Sequence, residues 1–209
     1  MTIQFGRRFA PDTRDRKFLL RKAAPIEPRP VRKTWRIWWK GDQGNTPMCV
    51  GYAWHALLRA LPKLQRDPSP EIIYALAQRN DEWDGEDYDG SSVRGGAKAL
   101  QLAGKIASYG WAFTVEDAIQ WVGLRGPVVL GTHWYSGMMT PDKHGILRVT
   151  GRRIGGHAYE LIGYDDRKEC GLIQNSWGLP WALNGRAWIR YDDLDRLIRE
   201  DGEACSPTE

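Results

Sequence analysis

The apolar residues of this 209-residue chain change character along its length. Up to about residue 121 they lie in stretches bounded by helix start and stop signals. From residue 127 onward they form short runs between glycine-rich turns. Asn45-Thr46-Pro47 predicts a helix start, a polar cap followed by proline inside the first turn, for the apolar-rich run Cys49 to Leu61 that Pro62 ends. Three more helices are predicted: Glu71 to Gln78 after Pro70, Ser92 to Ala103 stopping at Gly104, and one opened by Thr114-Val115-Glu116-Asp117 and reaching about Trp121. Pro127 to Leu130, Ile146 to Thr150, His157 to Tyr164, Gly171 to Gln174 and Arg186 to Arg190 read as strands, and Asp192 to Arg199 as a last short helix. Helices first and strands second predict an α+β fold in two lobes.

Residues 1–34 read differently, as an extended arm. Pro11, Pro25, Pro28 and Pro30 each remove a backbone donor and restrict the residue before, which argues against a long helix. Phe5, Phe9, Phe18, Leu19 and Leu20 are apolar enough to dock on a body. Charge sets the arm apart as well. Residues 1–40 carry twelve Lys and Arg against three Asp and Glu, a net of +9, whereas the remainder carries a net of −5, so the basic character belongs to the arm. Three roles are open to it: packing along the helical lobe, which we favour; a short inhibitory leader; or nucleic-acid binding through its cations with Trp35, Trp38 and Trp39. Its Phe and Leu residues and the acidic body argue for docking and against nucleic acid.

Composition narrows the class. Hydrophobic residues at 42% and charged residues at 27% fit a soluble globular protein of one or two compact domains. Cys49, Cys170 and Cys205 are the only cysteines, with no CxxC and no metal-ligand spacing, so neither a disulfide framework nor a zinc knuckle is expected. No apolar run suits a signal peptide or a membrane span, and the chain reads as cytoplasmic when made.

Four residues carry candidate chemistry. Cys49 falls in the first turn of its predicted helix, where the helix dipole favours a thiolate; a lone cysteine there is otherwise a small core residue. Gln43, six positions earlier, offers an amide donor to a developing oxyanion beside the Cys49 N–H, or is a surface-loop glutamine. His157, behind Gly155-Gly156 at a strand mouth, is a candidate base, or a satisfied structural histidine. Asn175 in IQNSWG, residues 173–178, suits the orientation of His157 by accepting from one ring nitrogen, with Trp177 shielding the bond; otherwise it is a turn asparagine. Singly, each bland alternative prevails.

Together, and in this order, DQGNTPMCVGYA (42–53), DGSSVRGGAKAL (89–100), GGHAYELIGYDD (155–166) and IQNSWG (173–178) resemble the papain-like cysteine peptidases over roughly residues 40–190. The opening FGRRFAPDTRDRKF is similar to that of bacterial and phage-type members. The resemblance implies a papain-like two-lobed fold: a peptidase domain over 35–209, with a helical lobe at about 40–112 carrying Cys49. A β-barrel-like lobe at about 113–200 carries His157 and Asn175, and the cleft lies between. It also implies acyl transfer from a peptide or protein substrate without a cofactor, with Gln43 in the oxyanion hole. Gly90, Ser91 and Ser92 would line one wall of the cleft, and Thr132, His133 and Trp134, with Trp177, the opposite side. The chain departs from the pattern at Val50, where tryptophan is usual after the cysteine, and at Glu160, within a strand that is usually apolar.

Six acids crowd residues 81–89 (Asp81, Glu82, Asp84, Glu86, Asp87, Asp89). They are a solvated loop, a source of attraction for basic substrates or, as a weaker third reading, a calcium site, although the spacing is not that of an EF-hand. Two other functions stand against a peptidase. One is a non-catalytic papain-fold structural or binding component, for example of a larger assembly such as a phage particle. The other is a transglutaminase-like acyltransferase, which normally orients its histidine with Asp rather than Asn.

Overall fold

The arm is not featureless. In the computed structural model, which describes residues 3–23, 27–60 and 63–208, it forms a 3-10 turn at Thr13–Lys17, a single helical turn α1 (Leu20–Ala23) and strand β1 (Arg32–Thr34). Pro25, Leu61 and Pro62, and with them the expected helix end at Pro62, lie outside the described residues.

The main helices follow their caps. The Ser69 hydroxyl accepts from the Ile72 N–H as Pro70 opens α3 (Pro70–Gln78). Ser92 accepts from Gly95 at α4 (Val93–Leu102), and Thr114 from Asp117 at α5 (Val115–Leu124). Gly104, at φ +65°, follows α4 in a conformation that disfavours any Cβ. The exception is α2, Cys49–Leu58: it begins at Cys49, after Met48, with no side-chain cap. Asn45 does not cap it, and Thr46 instead donates its hydroxyl to the Gln43 carbonyl. Cys49 is therefore the first residue of the helix, at the end where backbone N–H groups lack intrahelical partners. A last helix, α6, spans Tyr191–Arg199.

Six antiparallel strands form a sheet in the order β2 (Tyr109–Trp111), β7 (Glu203–Pro207), β3 (Val128–Tyr135), β4 (Arg153–Asp165), β5 (Cys170–Gln174), β6 (Arg186–Arg190), and β1 pairs with the far end of β4. Strands β1, β2 and β7 were not expected; each is five residues or fewer and shows no sustained apolar run or alternation. The expected strand Ile146 to Thr150 does not form. Ile146 meets Trp188 in one isolated bridge and the Leu147 N–H reaches the Trp188 carbonyl, after which the chain turns, so there is no ladder despite the apolar residues.

Two cores result. One packs α2, α3 and α4 around Trp54, Leu58, Ile73 and Leu100, and reaches the sheet through Val129, Ala158 and Cys205. The other joins the sheet to α5 and α6 around Leu130, Trp134, Tyr159 and Leu161. Cys49 stands in the first core and α2 lies against β4, so the start of one helix faces the strand that carries His157. Among the described residues no helix is long and apolar enough to cross a membrane.

Candidate active site

β4 delivers His157 and β5 ends just before Asn175. The His157 Nε2 lies 2.7 Å from Asn175 Oδ1, which also accepts from the Ser176 N–H at 2.8 Å. An amide oxygen only accepts, so Nε2 carries the hydrogen and Nδ1 is the basic nitrogen. That Nδ1 is buried and has no hydrogen-bond partner. The Trp177 ring covers His157 at 4.9 Å, and the Trp134 and Tyr159 rings pack on it at 5.0 and 5.9 Å. The N–H of Ala158, the residue after His157, lies by the Cys49 sulfur, as do those of Gly6 and Val50.

Gln43 is buried beside this pair. Its backbone N–H donates to the Ser176 carbonyl, and its Oε1 accepts from the Ser176 hydroxyl at 2.6 Å. This fixes the amide so that Nε2 faces the carbonyls of Thr46 (2.8 Å) and Gln4 (3.2 Å). Gln43, Cys49, His157 and Asn175 are thus brought together from a loop, a helix start and two strands.

The segment from Ile3 to Arg8 fills the space in front of them. Gln4 presents its carbonyl to Gln43, Phe5 sets its ring edge-on to His157 (5.9 Å) and Trp177 (6.3 Å), and Gly6 passes over Cys49. A Cβ on Gly6 would come within 1.8 Å of the Pro47 carbonyl oxygen, so this crossing requires glycine. The Ser91 N–H donates to Gly6 O at 2.8 Å, the Arg8 N–H to Ser91 O at 2.9 Å, and the Arg7 N–H to Gly156 O at 2.9 Å. The pairing with Ser91 is parallel. The arm therefore does not keep to the helices. It runs between α4 and β4, and its later residues anchor on both sides: Asp15 pairs with Arg94, and Arg29 with Asp166.

Burial follows. Cys49 and His157 are both 0% exposed. Loss of solvent pushes the Cys49 thiol up to about 11, opposed by the amides around it, and pulls His157 down to about 4, opposed by Asn175. Both groups are held neutral while the arm is in place.

The other expected site residues fall out unevenly. Ser91 pairs with the arm. Gly90 (φ +89°) and Ser92 flank it, but the Ser92 hydroxyl is committed to capping α4 and to Glu82. Trp134 and Trp177 wall in the imidazole. Thr132 faces inward, with its hydroxyl between His133 O and the Tyr159 hydroxyl. His133 lies 3.5 Å from Asp201, too far for a good hydrogen bond, and burial lowers its affinity for a proton. The acidic loop is largely tied down within the chain: Asp81 to Tyr88 and Ser91, Glu82 to Arg94 and Lys98, Glu86 to Arg79, and Asp89 to Gln4. Glu160 is buried, and loss of solvent raises its carboxyl well above the usual range against the pull of Arg186. The sequence reading missed Gln4, Phe5, Gly6 and Arg7 as site neighbours, and Glu203. An aromatic residue and a glycine at the start of a basic arm were the available signals.

Comparison with known proteins identifies the family. The pattern of the papain family cysteine proteases matches residues 82–202, a span that includes His157 and Asn175 but not Cys49. An uncharacterised peptidase C1-like protein of Acanthamoeba polyphaga mimivirus is 33% identical over 81 residues, covering 34% of this chain and 26% of the other. A cathepsin B-like protease of Arabidopsis thaliana is 31% identical over 118 residues, covering 52% and 31%. The chain thus spans about a quarter to a third of these relatives' length. The fold is similar to xylellain, a cysteine protease from Xylella fastidiosa, at a TM-score of 0.72 and 17% identity over 99% of this chain and 96% of that one. A procathepsin B from Trypanosoma congolense superposes at 0.68 with 10% identity, over 98% and 82%.

Proposed function

The chain belongs to the papain family of cysteine proteases, and from that premise we propose that it hydrolyses peptide bonds through Cys49, in a form whose cleft is closed by its own arm. One observation carries the reading: an imidazole oriented by Asn175, with its basic Nδ1 left unpartnered on the strand that faces the Cys49 sulfur. Nδ1 takes the thiol proton, and the thiolate attacks a peptide carbonyl. The Gln43 amide and the Cys49 N–H receive the oxyanion, with Gln43 Nε2 already donating to two carbonyls, those of Thr46 and Gln4. The imidazolium then protonates the leaving amine, and water attacks the thioester to release the acid and restore the thiol.

Peptides or proteins are the substrates in this reading. We divide the chain as the arm, 1–34, and a peptidase domain, 35–209, with helical and β-rich lobes meeting at the cleft. Three free cysteines suit a reducing compartment, and we assign synthesis to the cytoplasm. Arg7 and Arg29 of the arm pair with Glu203 and Asp166 of the body, which favours docking over nucleic-acid binding.

The complete burial of Cys49 and His157 favours one rival, a binding component that never opens. Labelling with a small epoxide-type cysteine-peptidase inhibitor, followed by peptide mapping, separates the two. A peptidase is labelled at Cys49 alone, and labelling is lost in Cys49→Ala and His157→Ala. Labelling of Cys49 no faster than Cys170 or Cys205, even after the arm is loosened, would leave the binding component standing.

A further inference from the structure

Several side chains hold the imidazole of His157, and one of them leaves with the arm. On β4 the residues that share its face are Gly155 and Tyr159, two before it and two after. Gly155 has no side chain, and Phe5 fills that space: a Cβ on Gly155 would come within 2.4 Å of the Phe5 ring. When Phe5 lifts, Tyr159 is the lateral support that the strand itself still offers. Asn175 binds one end of the ring by a single hydrogen bond, which fixes a point and not a plane. Trp134 meets the ring edge-on, at 80°. Trp177 lies over it at 31°, but stands on the loop after β5 and touches Phe5, so it too loses a neighbour when the arm moves. Tyr159 is nearly parallel to the imidazole, at 24° and 5.9 Å between centroids.

Tyr159 is itself fixed. It is buried in the core that joins the sheet to α5 and α6. Its hydroxyl lies 3.0 Å from Thr132 Oγ1, and Thr132 Oγ1 donates to the His133 carbonyl at 2.9 Å. Thr132 spends its one hydroxyl proton on that carbonyl, so Tyr159 is the donor of the first bond. Burial pushes the Tyr159 phenol up to about 12, so it keeps that proton throughout the neutral range. Thr132 also stands directly opposite His157 across β3 and β4. The tether thus runs from the residue two beyond the histidine to the residue that faces it. Resting on the peptidase reading, we propose that Tyr159 is a positioning residue: tethered through Thr132, its ring sets the plane of the His157 imidazole, and so the aim of Nδ1 at Cys49, once the arm has left. Thr132, expected on the wall of the cleft, serves behind it. The part of Tyr159 is indirect. It limits how far the imidazole rocks, and a misaimed base slows proton transfer without weakening the binding of substrate.

The test uses the full chain carrying Phe5→Ala, which loosens the arm, and a small epoxide-type cysteine-peptidase inhibitor. Tyr159→Leu should lower the limiting rate of Cys49 labelling by about 30-fold or more and leave the inhibitor's KI within about threefold. Tyr159→Phe, which keeps the ring but unties it, should cost only about threefold in that rate. A limiting rate within about threefold of the parent in Tyr159→Leu, or a weakened KI that accounts for the loss, overturns the inference and leaves Tyr159 as a core residue. If Tyr159→Leu does not fold, Tyr159→Phe and Thr132→Val each cut the tether. Each should then slow the limiting rate by about threefold, and the two together no more than either alone, because they break one chain. No loss, or losses that multiply, counts against it. NMR relaxation of the His157 ring carbons needs no catalysis. The imidazole should be more mobile in Tyr159→Leu, or in Thr132→Val, than in the parent, and equal mobility overturns the inference whether or not Cys49 reacts. A Cys49 no more reactive than Cys170 in the Phe5→Ala parent would instead sink the peptidase reading, and the mobility result would still decide whether Tyr159 fixes the ring.

Discussion

Phe5→Ala should open the cleft without touching any group that does chemistry. The Phe5 ring is half-buried and meets the rings of His157 and Trp177 edge-on. Truncating a half-buried phenylalanine loses about 1 to 1.5 kcal/mol of burial, and the lost ring contacts add about 0.5 to 1 kcal/mol. A total of about 2 kcal/mol corresponds to about a 30-fold larger open fraction. If Cys49 reacts only when the segment lifts, its labelling rate by a neutral epoxide rises by that factor. Phe18, 60% exposed on the same arm, is the control, and Phe18→Ala should leave the rate unchanged. Peptide mapping supplies the second control: Cys170 and Cys205 should stay slow. A change below threefold at Cys49, or equal acceleration at all three cysteines, would refute the view that this ring holds a local gate.

Other perturbations have defined outcomes. Gln43→Ala removes a fixed donor from the oxyanion site and should lower kcat by roughly a hundredfold or more, with circular dichroism unchanged; a loss under threefold would take Gln43 out of the reaction. Asn175→Ala leaves the His157 Nε2–H without its acceptor, a loss of about 1 to 3 kcal/mol that should appear as a roughly 5- to 150-fold drop in kcat/KM and as a mixed His157 tautomer by nitrogen NMR. Acid should loosen the arm. Burial holds His157 near 4, against about 6.5 in solvent, so the open form binds the proton first, and the covered form loses stability as pH falls from about 6.5 toward 4. Hydrogen-exchange protection of the Arg7 and Arg8 amides should decline over that window, after correction for intrinsic rates; flat protection down to pH 4.5 would contradict it. Gly96→Ala places a Cβ within 2.2 Å of the buried Trp54 ring, whose indole N–H is held by Val93 O. Overpacking of about 2 to 3 kcal/mol outweighs the gain of about 1 kcal/mol in helix propensity, so Tm should fall by roughly 3 to 6 °C.

Much of the fold was legible because its signals are local. Ser69, Ser92 and Thr114 cap helices within their own few residues, and Arg186–Arg190 forms as a strand with the bounds its pattern predicts. The helix carrying Cys49 was legible, but not its first residue, since Asn45 offers a cap that the loop around Gln43 and Thr46 uses otherwise. Strand β7 was hidden because five buried residues that include Glu203 and Ser206 have neither alternation nor an apolar run. The route of the arm was the least legible feature. It is fixed by backbone bonds from Gly6, Arg7 and Arg8 to Ser91 and Gly156, which leave almost no mark on side-chain pattern. Glu203 likewise finds its hydrogen-bonded partner, Arg7, 196 positions away.

The arm is fastened at several places beyond the segment that fills the cleft: Asp15 to Arg94, Leu20 in the core, Arg29 to Asp166, and β1 in the sheet. If residues 3–8 swing out, they remain tied a few residues from where they started. A peptide arriving from solution must then compete with a ligand whose local concentration is on the order of millimolar, because the tether is short. Reversible opening alone therefore keeps the cleft closed to weak or dilute substrates. A single cut between Arg8 and Asp12 would remove that advantage permanently, releasing a peptide that dilutes away while every remaining fastening, and the fold it supports, stays in place.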